Sequence, residues 1–492
     1  MNKDLLKYYD HLKEIANLVS ISSTLHWDQE VNMPLKASTS RANQLSLLSG
    51  LIHEKQTDPR FFDLLMRLQE DESLSDKQKR SIQKTKQILD RTKKLSNEFV
   101  RKVSAHTSNT FTSWLKAREE NSFSVLLPNL SMLIELKQEE ATLYKHSGNL
   151  YDALLHEYEP GMTSAQLDPV FSKLTKDLSD IISSIDLKED DDSILRQFYP
   201  KSSQWKLGME YLKFFGFDFS AGRQDISEHP FTIAISNGDI RITTRIDENN
   251  LGEMFWSSLH EMGHALYEQS LMKYEAGAPE SESCSLSIHE SQSRFWENHI
   301  GRSKEFISKH FSSFQSYFPE NLSSISADTF YSSINVIKPN LIRTSADELT
   351  YHTHVYIRYK LEQGLINGTL EAKNLKEEWN NLYKSHLGLI VPNDRSGVLQ
   401  DVHWAHGSFG YFPTYTLGSL YAAQFSEVIQ RDVPGAFKQM DQAGFRKIIN
   451  WLDDHIYSKG RLFDSNELCI QISGEPLNAD AFIRYAKNKY SS

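Results

Sequence analysis

Between residues 40 and 146 the chain is rich in Leu, Gln, Lys and Glu and nearly free of proline and glycine. That scarcity is the strongest constraint on the fold, because these two residues are what punctuates helices. It extends to the whole chain, where only 22 of 492 residues are Gly and 14 are Pro. Near the N-terminus Leu5, Leu6, Tyr9, Leu12, Ile15, Ala16 and Val19 recur at helical spacing. The stretch LHWDQEVNMP (25–34) is expected to break that helix, with Pro34 as its boundary. Further breaks are predicted near Thr57-Asp58-Pro59 and at Pro128. The Pro-Gly pair of HEYEPGM (156–162) predicts a loop, followed by helices over 164–186 and 202–214. Helices resume over 251–300 and, with loops, over 303–390, and three more are expected after residue 417. The fold class is therefore mostly α. One large domain over 1–492, built as two helical lobes around a cleft, is the expected organisation.

One region breaks the helical pattern. In HPFTIAISNGDIRITTRI (229–246) apolar and polar residues alternate, with Phe231, Ile233 and Ile235 on one face. Asn237-Gly238 sits between the two runs, and that dipeptide suits the positive φ angles of a two-residue hairpin turn. A small antiparallel β-hairpin inside a helical protein is the prediction. The segment 391–417 is rich in Gly, Pro, aromatics and His, the composition of a loop that carries function.

Composition excludes several classes. There are 54 basic and 65 acidic residues, interspersed, for a formal net charge of −11. A nucleic-acid partner would require a concentrated basic surface, so none is expected. No run of 18 apolar residues suggests a membrane span. The N-terminal residues mix charges with apolar side chains and lack the apolar core of a secretory signal. Two cysteines, Cys284 and Cys469, lie far apart without CxxC spacing. They argue against a cysteine-ligated metal and fit a cytoplasmic setting.

The chemistry centres on His260-Glu261-Met262-Gly263-His264, set in a stretch with Met254, Leu259, Ala265 and Leu266 at helical spacing. Residues i and i+4 share a helix face, so both imidazoles can reach one ion. Glu261, offset by about 100°, can sit beside the metal as a non-ligand and meet its water. Gly263 leaves room for close packing beneath the site. A hydrolytic zinc site uses three protein ligands and an open position. Glu290, in the helical stretch SCSLSIHESQSRFWENHI, is the expected third ligand, from a second helix packed on the first. His289 is its rival, but two His and one Glu is the better-known set for peptide hydrolysis.

At this point the sequence resembles the carboxypeptidase Taq family of metal-dependent carboxypeptidases. Six motifs carry the resemblance in order: His229-Pro230-Phe231; Asp239, Arg241 and Thr243 in DIRIT; His260 to His264; His289-Glu290-Ser291-Gln292; Arg343 with Ala346-Asp347; and Gln400-Asp401 with His403-Trp404. Similar stretches at 25–34, 151–162 and 407–418 extend it over nearly the whole chain. The resemblance implies a mostly helical fold with a deep groove, zinc or cobalt as the metal, and a homodimer. It implies peptide substrates shortened one residue at a time from the C-terminus, with broad specificity that excludes proline.

A carboxypeptidase needs a cation for the substrate's terminal carboxylate, and the guanidinium fork suits that task. Arg343 is the candidate, the alternative being an ion pair with Asp347 one turn on. Arg241 and Arg395 are weaker candidates. Tyr415, and after it Tyr411, could donate to the oxyanion. His229 and His403 could bind substrate or stabilise charge, and Asp239 and Asp401 could orient histidines. The hairpin offers an edge strand to an extended peptide. In this scheme Glu261 takes a proton from the attacking water and passes it to the leaving amine. Two rivals stay open: an oligopeptidase or endopeptidase with the same chemistry, and a non-catalytic helical binding protein.

Overall fold

In the computed structural model, which describes residues 2–144, 149–185 and 192–490, helices dominate as the sequence predicts. Their boundaries follow the capping chemistry more closely than the prolines. The first helix, Lys3–Val31, does not break at residue 25; it continues until Asn32. Residues 25–31 contain neither Gly nor Pro to interrupt the ladder, and Trp27 is buried within them. The helices Ser38–Gln56 and Pro59–Gln69 do separate at Thr57-Asp58, where Asp58 caps the Arg60 amide and Pro59 opens the next helix. No break occurs at Pro128, which lies inside the helix Phe123–Leu143, close to its start. The chain has already turned at Asn121, a left-handed cap (φ 52°, ψ 45°) on the helix Asn97–Glu120. Helices at Ser164–Ser184 and Lys201–Phe215 match the prediction. After residue 417 the prediction of three helices falls short. The helix Pro413–Asp432 is followed by Ala436–Gln439, Gln442–His455, Ser465–Ser473 and Asp480–Tyr490.

The chain forms two compact units. The first comprises residues 1–92, 191–334 and 422–475, the second residues 93–190, 335–421 and 476–492. In the first unit the predicted hairpin is present as β2, Thr232–Ser236, and β3, Asp239–Thr244. Only Gly238 takes a positive φ in its turn, at 91°. Asn237 instead ties the turn down by donating to the carbonyls of Met272 and Tyr274. A further strand, β1 (Gly222–Ile226), pairs parallel to β3 and gives the order β1-β3-β2. The sheet is thus mixed, not wholly antiparallel.

Each of the three strands is tied to the buried helix Leu251–Leu271. Gln224 of β1 donates to Ser258 Oγ at 3.2 Å, Thr244 of β3 lies 2.9 Å from Ser257 Oγ, and Thr232 of β2 donates to the Glu261 carboxylate at 2.6 Å. Across from the sheet, that helix packs on the helix Leu286–Arg294 through Gly263. A Cβ there would fall 2.5 Å from the Gln292 carbonyl oxygen and 2.7 Å from Ser293 Cα. These are main-chain atoms, which cannot rotate away as the tip of a side chain can.

The second unit is organised around the helix Thr350–Ile366, whose residues are buried on nearly every side. Glu362, fully buried, accepts hydrogen bonds from Tyr151 Oη (2.8 Å), Trp404 Nε1 (2.9 Å) and the Gly410 amide (3.1 Å). The last two fasten the loop between Asp401 and Pro413 to the helix.

Two outcomes follow for stability. Gly263→Ala should lower stability by about 2–3 kcal/mol, because two backbones must separate; a melting temperature equal to wild type would contradict the close approach. Burial pushes the Glu362 carboxyl from its ordinary 4.5 up to about 7. A carboxyl raised on folding favours the folded state fully below its unfolded pKa and loses that contribution as pH rises through the folded pKa. Wild-type melting temperature should therefore carry a downward component across pH 4.5 to 7 that Glu362→Gln lacks. Identical pH slopes for the two proteins would exclude Glu362 as its source.

Candidate active site

His260 and His264 lie on one face of the helix Leu251–Leu271, their ring centroids 5.1 Å apart. Glu290 comes from the helix Leu286–Arg294, which Gly263 brings close. The Nε2 atoms of His260 and His264 stand 3.5 and 3.4 Å from Glu290 Oε2. One donor atom from each residue lies within 4.8 Å of the other two, a spread that a single ion can bridge. The donor chemistry fits a divalent metal. Burial holds the His264 pKa down to about 3, so its ring is neutral and free to ligate. Burial also opposes charge on His260, but Glu290, Glu297 and Glu261 outweigh it and raise that pKa, the signature of a pocket that favours a cation. Burial would raise the Glu290 pKa as well, but Arg294 and the two histidines hold it well below the usual carboxylate range. His289 stands outside the donor set. Its Nε2 lies 2.8 Å from Glu268 Oε1 and its ring stacks on His264 at 4.4 Å.

Glu261 is buried beside these donors. Thr232 Oγ1 donates to its Oε2 at 2.6 Å, and among the described residues nothing hydrogen-bonds its other oxygen. Burial raises its pKa, against the lowering pull of His260 and Thr232. A carboxylate anchored through one oxygen, with the other open and its basicity increased, is equipped to accept a proton.

In the second unit, five of the residues singled out by sequence come together. Arg343 is buried, and its Nε and Nη2 lie 3.0 and 2.8 Å from Asp401 Oδ1. Its guanidinium stands 5.0 Å from the ring centre of Tyr415. His403 Nε2 is 3.1 Å from Tyr415 Oη, and the Tyr411 ring stands 5.3 Å from that of Tyr415. Arg343 does not pair with Asp347, which instead caps the backbone at Leu349 and Thr350. Asp401 serves arginines before histidine. Arg358 Nη2 lies 2.6 Å from its Oδ2, whereas His403 Nδ1 is 4.0 Å from its Oδ1. Burial keeps His403 neutral, its pKa lowered to about 3.

Other candidates are engaged elsewhere. Asp239 does not orient a histidine: it pairs through both oxygens with Arg241, whose guanidinium lies 4.2 Å from the Trp27 ring centre. Arg395 donates to the carbonyls of Arg118 and Glu119 at the end of the helix Asn97–Glu120. His229 is exposed, three residues before Thr232.

Sequence reasoning missed Thr232, Glu297 and Arg358. Thr232 follows directly on the His229-Pro230-Phe231 motif. Glu297 and Arg358 are charged residues set among large apolar neighbours, in FWENHI and VYIRYKL. Such placement is the one signal that could have found them, since buried charges require partners.

A profile of the carboxypeptidase Taq (M32) metallopeptidases matches residues 7–490. The chain is 36% identical to thermostable carboxypeptidase 1 of Thermus thermophilus, an alignment covering 98% of this chain and 97% of that protein. It is 34% identical to carboxypeptidase 1 of Bacillus subtilis, over 99% and 98% respectively. The crystal structure of the M32 carboxypeptidase from Deinococcus radiodurans superposes with a TM-score of 0.97 at 34% identity, covering 100% of this chain and 99% of that one. No helix among the described residues is long and apolar enough to cross a membrane. A family of metallopeptidases implies a divalent metal and peptide substrates, and the chain belongs to it: this is a member of the carboxypeptidase Taq (M32) family.

Proposed function

We propose that the protein releases single amino acids from peptide C-termini, with one divalent ion, zinc or cobalt, held by His260, His264 and Glu290. A metal in that position supplies positive charge that polarises a carbonyl and acidifies water. Glu261 then accepts the water's proton on its open oxygen and delivers it to the leaving amine, while Thr232 fixes the carboxylate's orientation. Tyr415, held by His403, or else Tyr411, is the proposed donor to the oxyanion. His229, exposed, is available to substrate.

The observation that carries the polarity of attack is a charge imbalance. Arg343 and Arg358 share the single carboxylate of Asp401, and His403 beside them is held neutral. A buried cation without its own anion is costly. A peptide's terminal carboxylate supplies the missing charge, and Arg343 retains donors to meet it. An oligopeptidase has no need of such a cluster. β2, an edge strand that also holds the base, supports binding of extended peptides through main-chain hydrogen bonds, which tolerate many side chains. Broad specificity, the exclusion of proline and a homodimer accompany the family resemblance as parts of the same proposal, and the two unpaired cysteines support a cytoplasmic setting.

Glu261→Gln should retain the metal and the fold yet lose about 100-fold or more in kcat, because an amide cannot accept the proton. Turnover near wild type with metal bound would remove Glu261 from the mechanism. Arg343→Ala should cut kcat/KM on free-carboxylate peptides at least tenfold, about 1.4 kcal/mol, and leave the slow cleavage of C-terminally amidated peptides nearly unchanged. A wild type that cleaves both kinds equally fast would overturn the carboxypeptidase reading in favour of an oligopeptidase.

A further inference from the structure

The two histidines of the metal site are supported by different means. His260 Nδ1 lies 2.9 Å from Glu297 Oε2. His264 Nδ1 is buried and has no hydrogen-bond partner among the described residues; its ring rests instead on His289. Only one of the pair is therefore fixed by an acceptor. A neutral imidazole carries one proton on either nitrogen, and only the tautomer protonated at Nδ1 leaves Nε2 free to ligate. An acceptor at Nδ1 selects that tautomer and locks the ring's rotation.

Glu297 is unusually well prepared for this task. It belongs to a π-helical turn, Phe295–Gly301, which follows the ligand helix directly. Such turns are uncommon and tend to occur at functional sites. Its neighbours Phe295, Trp296 and Ile300 are buried, yet a carboxylate stands among them. Two arginines flank it: Arg302 Nη2 lies 3.6 Å from its Oε1, and Arg294 Nη1 lies 3.7 Å from its Oε2. Arg294 also donates from Nε to Glu290 Oε1 at 2.7 Å. One guanidinium thus bridges the third metal ligand and the carboxylate behind the first. The path His260–Glu297–Arg294–Glu290 links two of the three ligands without passing through the ion.

We propose that Glu297 is a positioning residue that selects the ligating tautomer of His260 and, through Arg294, couples its orientation to Glu290, so that metal affinity depends on it. The proposal rests on the reading of His260, His264 and Glu290 as the metal ligands. The test is the affinity of the metal-stripped full-length protein for Zn2+, measured by competition with a chromogenic chelator. The same variants are titrated with Co2+ and followed by visible absorption, and each stripped protein is melted alone. Glu297→Gln keeps an acceptor oxygen but loses the charge, and should weaken binding by about tenfold; Glu297→Ala loses both, and should weaken it by about 100-fold with an altered Co2+ spectrum. Glu297→Asp, with the charge but a shorter reach, should fall between wild type and Ala. A purely structural Glu297 would lower the melting temperature of the stripped protein while leaving affinity and spectrum unchanged, and that result overturns the proposal. If Ala prevents folding, the Gln variant decides alone: wild-type affinity and spectrum in folded Glu297→Gln overturn it. Uptake of one ion by wild type but not by Glu290→Ala supports the ligand reading separately. A wild type that takes up no ion overturns that reading and this proposal together.

Discussion

The structure depends on one close contact, the approach of Gly263 to the backbone at Gln292 and Ser293. Two histidines one turn apart would not by themselves hold a catalytic metal, which takes three protein donors. The third donor comes from a separate helix, and its reach is set by how near the two helices can approach. A residue with a side chain at position 263 would push the helix Leu286–Arg294, and Glu290 with it, away from both imidazoles. Glycine costs about 1 kcal/mol in a helix interior. Here that cost is offset by main-chain packing that no other residue permits. The small sheet acts from the other side, since each strand hydrogen-bonds the helix at Ser257, Ser258 or Glu261. The helix Leu251–Leu271 is clamped between a sheet that anchors the Glu261 carboxylate and a helix that brings Glu290 to the two imidazoles.

Burial of charge is the second constraint, and both units meet it with networks instead of isolated pairs. In the first, Glu290 and Glu297 share Arg294, and Glu297 also faces Arg302 and His260. In the second, Asp401 takes both Arg343 and Arg358, while Glu362 relies on three neutral donors, which offset only part of the rise in pKa that its burial causes. Buried ion pairs contribute little net stability, and breaking one is costly. Their concentration around the residues assigned to metal and carboxylate binding points to a function that needs those charges held in place, beyond any gain in stability.

Much of this was legible in the sequence because it rests on local periodicity. The i, i+4 spacing of His260 and His264 follows from the helical repeat, and Asn237-Gly238 marks the hairpin turn without reference to the rest of the chain. What escaped was set by contacts between distant segments. β1 reads GRQDI, with no alternation to announce a strand, and exists because β3 offers it a parallel edge. The breaks expected near residue 25 and at Pro128 failed for related reasons. Tertiary burial of Trp27 carries the first helix onward, and the left-handed cap at Asn121 turns the chain before the proline is reached. The motif residues Arg343, His403, Tyr411 and Tyr415 were found by resemblance, but their mutual arrangement, and the second arginine with which Arg343 shares Asp401, came only from the fold. Arg358 and Glu297 sit inside apolar stretches where pattern alone reads as core.

The central claim is that this chain removes residues from the C-terminus of peptides and requires a bound metal to do so. Mass spectrometry of one defined peptide incubated with the protein, with and without a metal chelator, tests it most directly. The account predicts a ladder of products that lose residues successively from the C-terminus, abolished by the chelator and restored by added Zn2+ or Co2+. Internal fragments, or a C-terminal ladder that persists after the metal has been removed, would contradict it.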